Sequence, residues 1–336
     1  MPVSIKDIAE AANVTPGTVS RALRDSPRVH PNTKKRIQHL AEEMGYTPDA
    51  QARSLVMGRT QTIGVVVTTM ADPFVGGVVQ AIESTAQDHG YALILASSND
   101  APEREIAATQ MLQSRRVDGV IVTSSRVGAL YQGRLERLSV PVVLINNLAR
   151  HSGPYTLSIG VDNRHGGYLA TRHLIRKGHR RIAYVASPAD RSDNTERLAG
   201  YRDALDEVGI AFDPSLSVPG TGRAGGGQRA LPVLMALDDP PTAVFCYNDM
   251  TAIGLIDAAR AACLALPQEL AVVGFDDILF AEFVWPPLTT IAQPIAELGR
   301  GAMEMVLTLL SEDVQDQVPV ADVMVKGRLI VRASSG

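Results

Sequence analysis

Ser4-Ile5-Lys6-Asp7-Ile8-Ala9-Glu10-Ala11-Ala12, then Asn13-Val14, then Thr15-Pro16-Gly17-Thr18-Val19-Ser20-Arg21-Ala22-Leu23 is the stretch that decides how the chain is organised. Ser4 precedes apolar residues at helical spacing (Ile5, Ile8, Ala9, Ala12), and Asp7 stands three positions on, a near capping box with Asp in place of the usual Glu or Gln. Asn13-Val14 interrupts the pattern. Thr15 then supplies a second N-cap, Pro16 occupies the first helical position, and Val19, Ala22 and Leu23 form the next apolar face. Two short helices about a tight turn, with Val14 and Val19 buried between them, predict a helix-turn-helix. Pro31 opens a third helix through Ile37, Leu40, Ala41 and Met44, ended by Gly45.

Charge supports a separate head. The 336 residues carry 32 Lys and Arg against 36 Asp and Glu, a net charge of −4. Residues 1–36 hold seven basic and three acidic groups, so this segment is +4 and the remaining chain sums to −8. A small basic head on an acidic body is the asymmetry of a nucleic-acid module joined to something else. In a helix-turn-helix the N-terminal part of the second helix faces base edges in the major groove. Here those residues are Thr15, Pro16, Gly17, Thr18, Ser20 and Arg21, with Arg21 able to make a bidentate contact to guanine. Thr15, Thr18, Ser20, Lys34 and Lys35 are expected to hold phosphates.

These residues resemble the start of the LacI/GalR family of bacterial repressors: Ile5-Lys6-Asp7-Ile8-Ala9, Val14-Thr15, Thr18-Val19-Ser20-Arg21, Val29-His30-Pro31, Gly45-Tyr46-Thr47-Pro48 and Ala52-Arg53-Ser54-Leu55. The resemblance implies an N-terminal all-α DNA-binding domain over 1–45, a hinge helix and linker over 46–60, and an effector-binding and dimerisation body over 61–336. Within the hinge, Asp49 could cap two helical turns, which are marginal alone. Read from the residues, this segment is a linker with Leu55 packed on the body. The resemblance instead implies that Leu55 wedges into the minor groove beside Ala52 when two hinges pair on DNA.

From residue 61 short β-rich runs alternate with helical patterns. The runs are Thr62–Val67, Tyr91–Ala96, Gly119–Thr123 and Pro141–Asn146, then Ile159–Val161, Ile182–Val185, Ala243–Cys246 and Leu270–Gly274. Helices are expected at 74–88, 103–116, 128–138, 164–177, 195–208, 225–237 and 249–262. Such alternation predicts an α/β body of two doubly wound parallel-sheet subdomains, a periplasmic-binding-protein-like architecture. By resemblance, the chain crosses between them three times. That implies one subdomain of about 61–160 with 293–320, and another of about 161–290 with 324–334.

Ligands bind such sheets beyond the carboxyl ends of the strands. Polar residues gather there: Asp72 and Phe74, Asn146, Asp193 and Arg197, Asn248, Asp276 and Gln293. Carboxylates, amides and one guanidinium suit a hydroxyl-rich ligand, with Phe74 as a stacking face. Singly, Asp193 and Asn248 also read as helix caps. The resemblance carries Arg197, Asn248, Asp276 and Gln293 onto family effector contacts, and Asp72, Phe74, Asn146 and Asp193 onto its variable pocket. It extends through Gly178-His179-Arg180-Arg181-Ile182, Arg197-Leu198-Ala199-Gly200-Tyr201 and Val273-Gly274-Phe275-Asp276-Asp277. The loop Pro219-Gly220-Thr221-Gly222-Arg223 lacks the aromatic residue many relatives place there, which suggests room for a disaccharide or glycoside.

The competing classes are an enzyme, a solute-binding protein and a repressor with a purine-type corepressor. No Gly-x-Ser-x-Gly, His-Glu-x-x-His or Cys/His metal spacing occurs. The Asp276-Asp277 pair could suggest acid/base work, but a hydroxyl clamp explains it as well. His165, His173 and His179 are not at helical ligand spacing. The expectation is a cytoplasmic homodimeric repressor with no enzyme activity, no cofactor, no metal and no membrane segment. Its partners would be double-stranded operator DNA and a small-molecule effector, a sugar by expectation.

Overall fold

A computed structural model describes residues 3–46, 58–125, 140–146, 156–188, 191–311 and 322–336. The chain divides into two units, Met1–Thr60 and Gln61–Gly336. The expectations for Ala52 and Leu55, for the hinge helix and for a helix at 128–138 lie outside the described residues.

The head consists of α1 (Ile5–Ala11), α2 (Pro16–Leu23) and α3 (Pro31–Glu43). The capping box at Ser4 is complete: the Asp7 amide donates to Ser4 Oγ at 3.4 Å, and the Ser4 amide donates to Asp7 Oδ2 at 2.8 Å. Asp is shorter than Glu, yet it still reaches back to the cap. Thr15 Oγ1 accepts from the Thr18 amide at 3.2 Å, and Pro16 fills the first helical position. Between the helices Asn13 takes a φ of 52°, a left-handed conformation that Asn tolerates. Ile8, Ala9, Ala12, Val19, Ala22, Val29, Ile37 and Ala41 form one small core, and Val14 packs against it half-buried.

The body holds two six-stranded sheets. In the first the order is β11-β5-β4-β3-β1-β2, all parallel, from β1 (Thr62–Val67), β2 (Ala92–Ser97), β3 (Gly119–Thr123), β4 (Val142–Ile145), β5 (Thr156–Val161) and β11 (Val323–Val325). In the second the order is β12-β10-β9-β8-β6-β7, from β6 (Ile182–Val185), β7 (Ser217–Val218), β8 (Ala243–Cys246), β9 (Ala271–Asp276), β10 (Thr289–Ala292) and β12 (Arg328–Ile330). Only β12 runs antiparallel to its neighbour, β10. The inner strands β3, β4, β5, β8 and β9 are buried along their whole length, as near-continuous apolar runs require once helices cover both faces.

Two strand assignments differ from the sequence expectation. The run at 159–161 does not open the second series. It belongs to the six-residue β5, which pairs with β4 through Leu144 and Ser158 and extends the first sheet. The tail also divides: β11 joins the first sheet through Val323 and Ile159, and the chain reaches the second only at β12. Three-residue edge strands carry too little periodicity to reveal which sheet they join.

Helices α4 (Pro73–Asp88), α5 (Pro102–Ser114) and α11 (Ile295–Leu310) flank the first sheet, and α6 (Asn163–Arg176), α7 (Ser192–Asp206), α8 (Ala224–Met235) and α9 (Asp249–Ala261) flank the second. Helix α11, arriving from β10 of the second sheet, packs on α4, where Gly299 allows close approach: a Cβ there would come within 2.5 Å of Ala81 Cβ. The connection from β10 to α11 therefore crosses from one lobe to the other, and Gln293 sits in it.

Candidate functional site

The carboxyl ends of both sheets open onto one cavity of about 380 Å³. All eight residues singled out at the strand ends line it: Asp72, Phe74, Asn146, Asp193, Arg197, Asn248, Asp276 and Gln293. The first lobe contributes Asp72, Phe74 and Asn146, and the second contributes Asp193, Arg197, Asn248 and Asp276.

Each side chain is held by its local structure. Asp72 caps α4, with Oδ1 accepting from the Phe74 amide at 3.0 Å, and Phe74 is buried where it lines the cavity. Burial raises the Asp72 carboxyl above its ordinary range, against the hydrogen bond from Phe74 and the charge of Arg191. Asn146 takes a left-handed φ of 54°, uses Oδ1 to accept from the Val161 amide, and donates through Nδ2 to Gln293 Oε1 at 3.3 Å. Gln293 Nε2 donates to Asp276 Oδ1 at 2.6 Å. Asp276 lies 3.9 Å from Arg197. A chain of polar groups thus runs from Asn146 in the first lobe to Arg197 in the second.

Arg197 is buried, its side chain 3% exposed. Its Nε donates to Asn163 Oδ1 at 2.9 Å and its Nη1 to the Tyr247 carbonyl at 2.6 Å. The guanidinium also lies over the rings of Phe275 and Tyr247. Burial drives Asp276 well above the ordinary carboxylate range; Arg197 opposes this, while Asp249 and Asp72 reinforce it. Asn248 does act as a cap. Its Oδ1 accepts from the Thr251 amide at 3.0 Å, and its Nδ2 donates to the Gly222 carbonyl at 2.9 Å, fixing the loop over the cavity.

Several lining residues were missed, notably Asp100, Arg191 and Tyr247. Tyr247 reads as the end of a strand, and its hydroxyl donates to Asp193 Oδ2 at 2.6 Å. Arg191 reads as a loop charge two residues before Asp193, and its pairing with Asp100 spans 91 positions. Burial pushes the Asp193 carboxyl up, but Arg191, Arg197 and the Tyr247 hydroxyl outweigh it and hold it at about 2.

The acid/base reading of Asp276-Asp277 has no geometric support, because Asp277 turns away to pair with Arg332 at 2.8 Å. Two of the three histidines pair with hydroxyls outside the cavity lining: His173 meets Ser335 Oγ at 2.7 Å and His179 meets Thr242 Oγ1 at 2.9 Å. Among the described residues no three His, Cys, Asp or Glu side chains gather as a metal site, and no helix is long and apolar enough to cross a membrane.

On the head, Thr15, Pro16, Gly17 and Arg21 are exposed, and Thr18 and Ser20 are half-buried. A Cβ on Gly17 would stand 3.3 Å from Arg21 Nη2, so the guanidinium lies back along the first turn of α2. Ser20 Oγ accepts from Arg24 at 3.1 Å. Lys34, expected to hold phosphate, is paired within the head. Its ammonium donates to Asp25 Oδ1 at 2.6 Å and to the Asp25 carbonyl at 3.0 Å, closing the loop between α2 and α3, and its side chain is only 17% exposed. Lys35 remains exposed.

Comparison with known proteins agrees with this architecture. Residues 4–49 match the bacterial regulatory proteins of the lacI family, and residues 171–335 match the periplasmic binding protein-like domain. The chain is 34% identical over 332 residues to the HTH-type transcriptional repressor CytR of Escherichia coli (strain K12), covering 99% of this chain and 96% of that one. The lac repressor dimer bound to operator and the anti-inducer ONPF superposes with a TM-score of 0.89 at 26% identity, covering 100% of this chain and 99% of that one. The transcriptional regulator CelR in complex with cellobiose has a TM-score of 0.73 at 29% identity, with 99% of each chain covered. These relatives are regulators rather than enzymes. With a head that matches over its whole length and a repressor related across nearly the entire chain, this protein belongs to the lacI family of bacterial regulatory proteins and is a transcriptional repressor with an effector-binding domain.

Proposed function

We propose that the protein is a homodimeric repressor that binds a pseudo-palindromic operator in the bacterial cytoplasm and is released from it by a neutral, hydroxyl-rich effector, a sugar or glycoside, held in the cavity between the lobes. The observation that carries the reading is the polar chain Asn146–Gln293–Asp276–Arg197, which reaches from one lobe to the other across the lining of a cavity of about 380 Å³. Hydroxyls that accept from guanidinium and amide and donate to carboxylate would bridge this chain, and so bias the relative orientation of the lobes. Operator and effector would then be reciprocally coupled.

The size of the cavity supports a glycoside or disaccharide. Gly222, with a φ of 69°, faces the cavity where a bulky side chain would narrow it. The CelR structure is that of a relative in complex with cellobiose, a ligand of this class. A two-fold dimer is supported by the exposed apolar cluster at Leu279, Phe280, Phe283 and Trp285, each 52–73% exposed, since apolar clusters of this kind mark protein interfaces. The DNA contacts expected from the sequence are Thr15, Pro16, Gly17, Thr18, Ser20, Arg21 and Lys34 on the head, with Ala52 and Leu55 in the hinge; of these, Lys34 is held by Asp25 and is the one put to a separate test.

The deciding experiment is operator binding at fixed salt, titrated with a panel of mono- and disaccharides, glycosides and purines. Release by a neutral glycoside is expected. Strengthening by a purine with no response to any sugar would replace the inducer reading with a corepressor one.

A further inference from the structure

Helix α7 begins at Ser192 after the N-cap residue Arg191, no side chain caps it, and Asp193 stands in its first turn rather than at the cap. The Asp193 carboxylate is fully engaged by protein. Oδ1 accepts from the Asn194 amide at 2.8 Å and Oδ2 from the Tyr247 hydroxyl at 2.6 Å. Arg191 grips both oxygens, Nε to Oδ1 at 3.2 Å and Nη2 to Oδ2 at 3.2 Å. An ionised carboxylate offers about four acceptor sites, and four donors fill them.

The third guanidinium nitrogen of Arg191 points elsewhere. Nη1 donates to Asp100 Oδ1 at 3.1 Å. Asp100 belongs to the other lobe: it follows β2, takes a left-handed φ of 63°, and its amide donates to the Thr68 carbonyl at 3.1 Å. The ion pair therefore spans the mouth of the cavity from second lobe to first. It is partly shielded from water, with the Arg191 side chain 13% exposed and that of Asp100 33%. A guanidinium suits this task because its fork is planar and rigid: fixing one edge on Asp193 aims the other at Asp100.

We propose that Arg191 and Asp100 form a clamp that draws the two lobes together over the cavity, and that Asp193 and Tyr247 are positioning residues for Arg191 rather than groups that touch the effector. That the clamp closes over an effector rests on the assignment of the cavity above; that it holds the lobes together does not. Because the clamp is built from protein groups alone, lobe closure is favoured by the chain itself, and an effector adds to a bias already present.

The test is a distance measurement between lobes in the full-length protein. Cys263 is naturally exposed in the second lobe, while Cys246 is buried and would escape labelling. Gln87→Cys places the second spin label on the exposed end of α4 in the first lobe. Labelled protein is diluted into unlabelled protein so that intrachain distances dominate the electron–electron resonance signal. Asp100→Asn is expected to lower the ratio of short to long interlobe distances by roughly three- to tenfold, the scale of a partly exposed ion pair. Asp100→Glu, which keeps the charge, should restore most of the short population. Asp193→Asn and Tyr247→Phe should shift the distribution in the same direction as Asp100→Asn, with no effector present. Tyr247→Phe removes only a hydroxyl, so it reads the positioning role even where Asp193→Asn does not fold. A wild-type distribution in Asp100→Asn overturns the clamp, and a wild-type distribution in Tyr247→Phe overturns the positioning role. Operator binding by the unlabelled wild type reports separately on the repressor reading.

Discussion

The Arg197 guanidinium lies 3.6 Å from the centre of the Phe275 ring. A buried cation is costly unless it is paired, and here the ring face shares that task with Asp276 at 3.9 Å and two hydrogen-bond acceptors. Phe275 thus acts as the floor that keeps Arg197 level with the cavity. Phe275→Leu removes the ring while keeping an apolar side chain, and Arg197→Lys removes the planar fork. Both are expected to weaken the effector response, Phe275→Leu by roughly tenfold, given cation–π energies of about 0.5–2 kcal/mol. Operator affinity in the absence of effector should remain. Operator release titrated with effector checks this; equal losses of both functions in a folded variant would contradict it.

Asp249 provides a pH dependence. It is completely buried in the first turn of α9, with Oδ1 accepting from Thr290 Oγ1 at 2.5 Å and Oδ2 from the Ile278 amide at 2.9 Å. Burial raises its carboxyl to about 7, against those hydrogen bonds. The folded state therefore favours the protonated form, while the unfolded chain ionises near 3.8. The stabilisation is complete below pH 3.8, declines as pH rises, and is gone above about 7. The slope cannot exceed about 1.4 kcal/mol per pH unit for one proton. Chemical denaturation between pH 5 and 8 should show wild type losing stability relative to Asp249→Asn as pH rises, and parallel pH curves would sink the assignment.

How much of this was legible in the sequence depends on how local each cause is. Val65-Val66-Val67 is apolar on consecutive positions because both faces of β1 are covered, so the strand and its parallel neighbours could be read directly. The cavity-lining residues were legible because polar groups immediately after such strands have few structural reasons to be there. Arg191 and Tyr247 were hidden because their roles arise from partners far along the chain, Asp100 at 91 positions and Asp193 at 54. The Lys34 ion pair was hidden for the same reason at shorter range: nothing in a basic cluster shows that Asp25 stands beside the ammonium. The edge strand β11 was misassigned because three residues cannot distinguish one sheet from another.

The charges of the cavity select against anions. Arg191 is paired with Asp193 and Asp100, and Arg197 lies beside Asp276. Asp72 adds a further carboxylate to the lining. Arg223 is a further cation of the lining, and a phosphorylated ligand that reached Arg191 or Arg197 would have to displace one of these pairs. A neutral glycoside is therefore expected to release operator at concentrations roughly tenfold or more below those of the corresponding sugar phosphate, because breaking a shielded ion pair costs what the phosphate would gain from the freed cation. Calorimetric titration of both against the full-length protein decides the matter, and preference for the phosphate would reverse this reading of the lining.

The apolar cluster about Phe280–Phe283 gives a prediction for assembly. Phe283 is 73% exposed and Trp285 72%, beside half-exposed Phe280. Placing a charge there opposes burial in a two-fold interface, so Phe283→Asp should shift the protein towards monomer in sedimentation at micromolar concentration. Operator affinity should fall with it, because a half-site alone supplies only half of the contacts. An unchanged sedimentation coefficient would move the dimer interface elsewhere.

The head is expected to separate a base-reading side chain from a structural one. Arg21 is exposed in the last turn of α2 with its guanidinium laid back towards Gly17, whereas Lys34 is tied to Asp25. Arg21→Ala is expected to cost about 1–3 kcal/mol at the cognate operator and to relax discrimination at one base pair. Lys35→Ala, at an exposed cation, should weaken binding to all sequences and reduce the salt slope by about 1. Lys34→Ala should leave the salt slope nearly unchanged and instead lower the thermal stability of the head, because its ammonium holds the loop between α2 and α3 through two contacts. Operator titrations at four salt concentrations, with melting of the three variants, separate these roles. A salt slope reduced by Lys34→Ala as much as by Lys35→Ala would return Lys34 to the phosphate-binding surface.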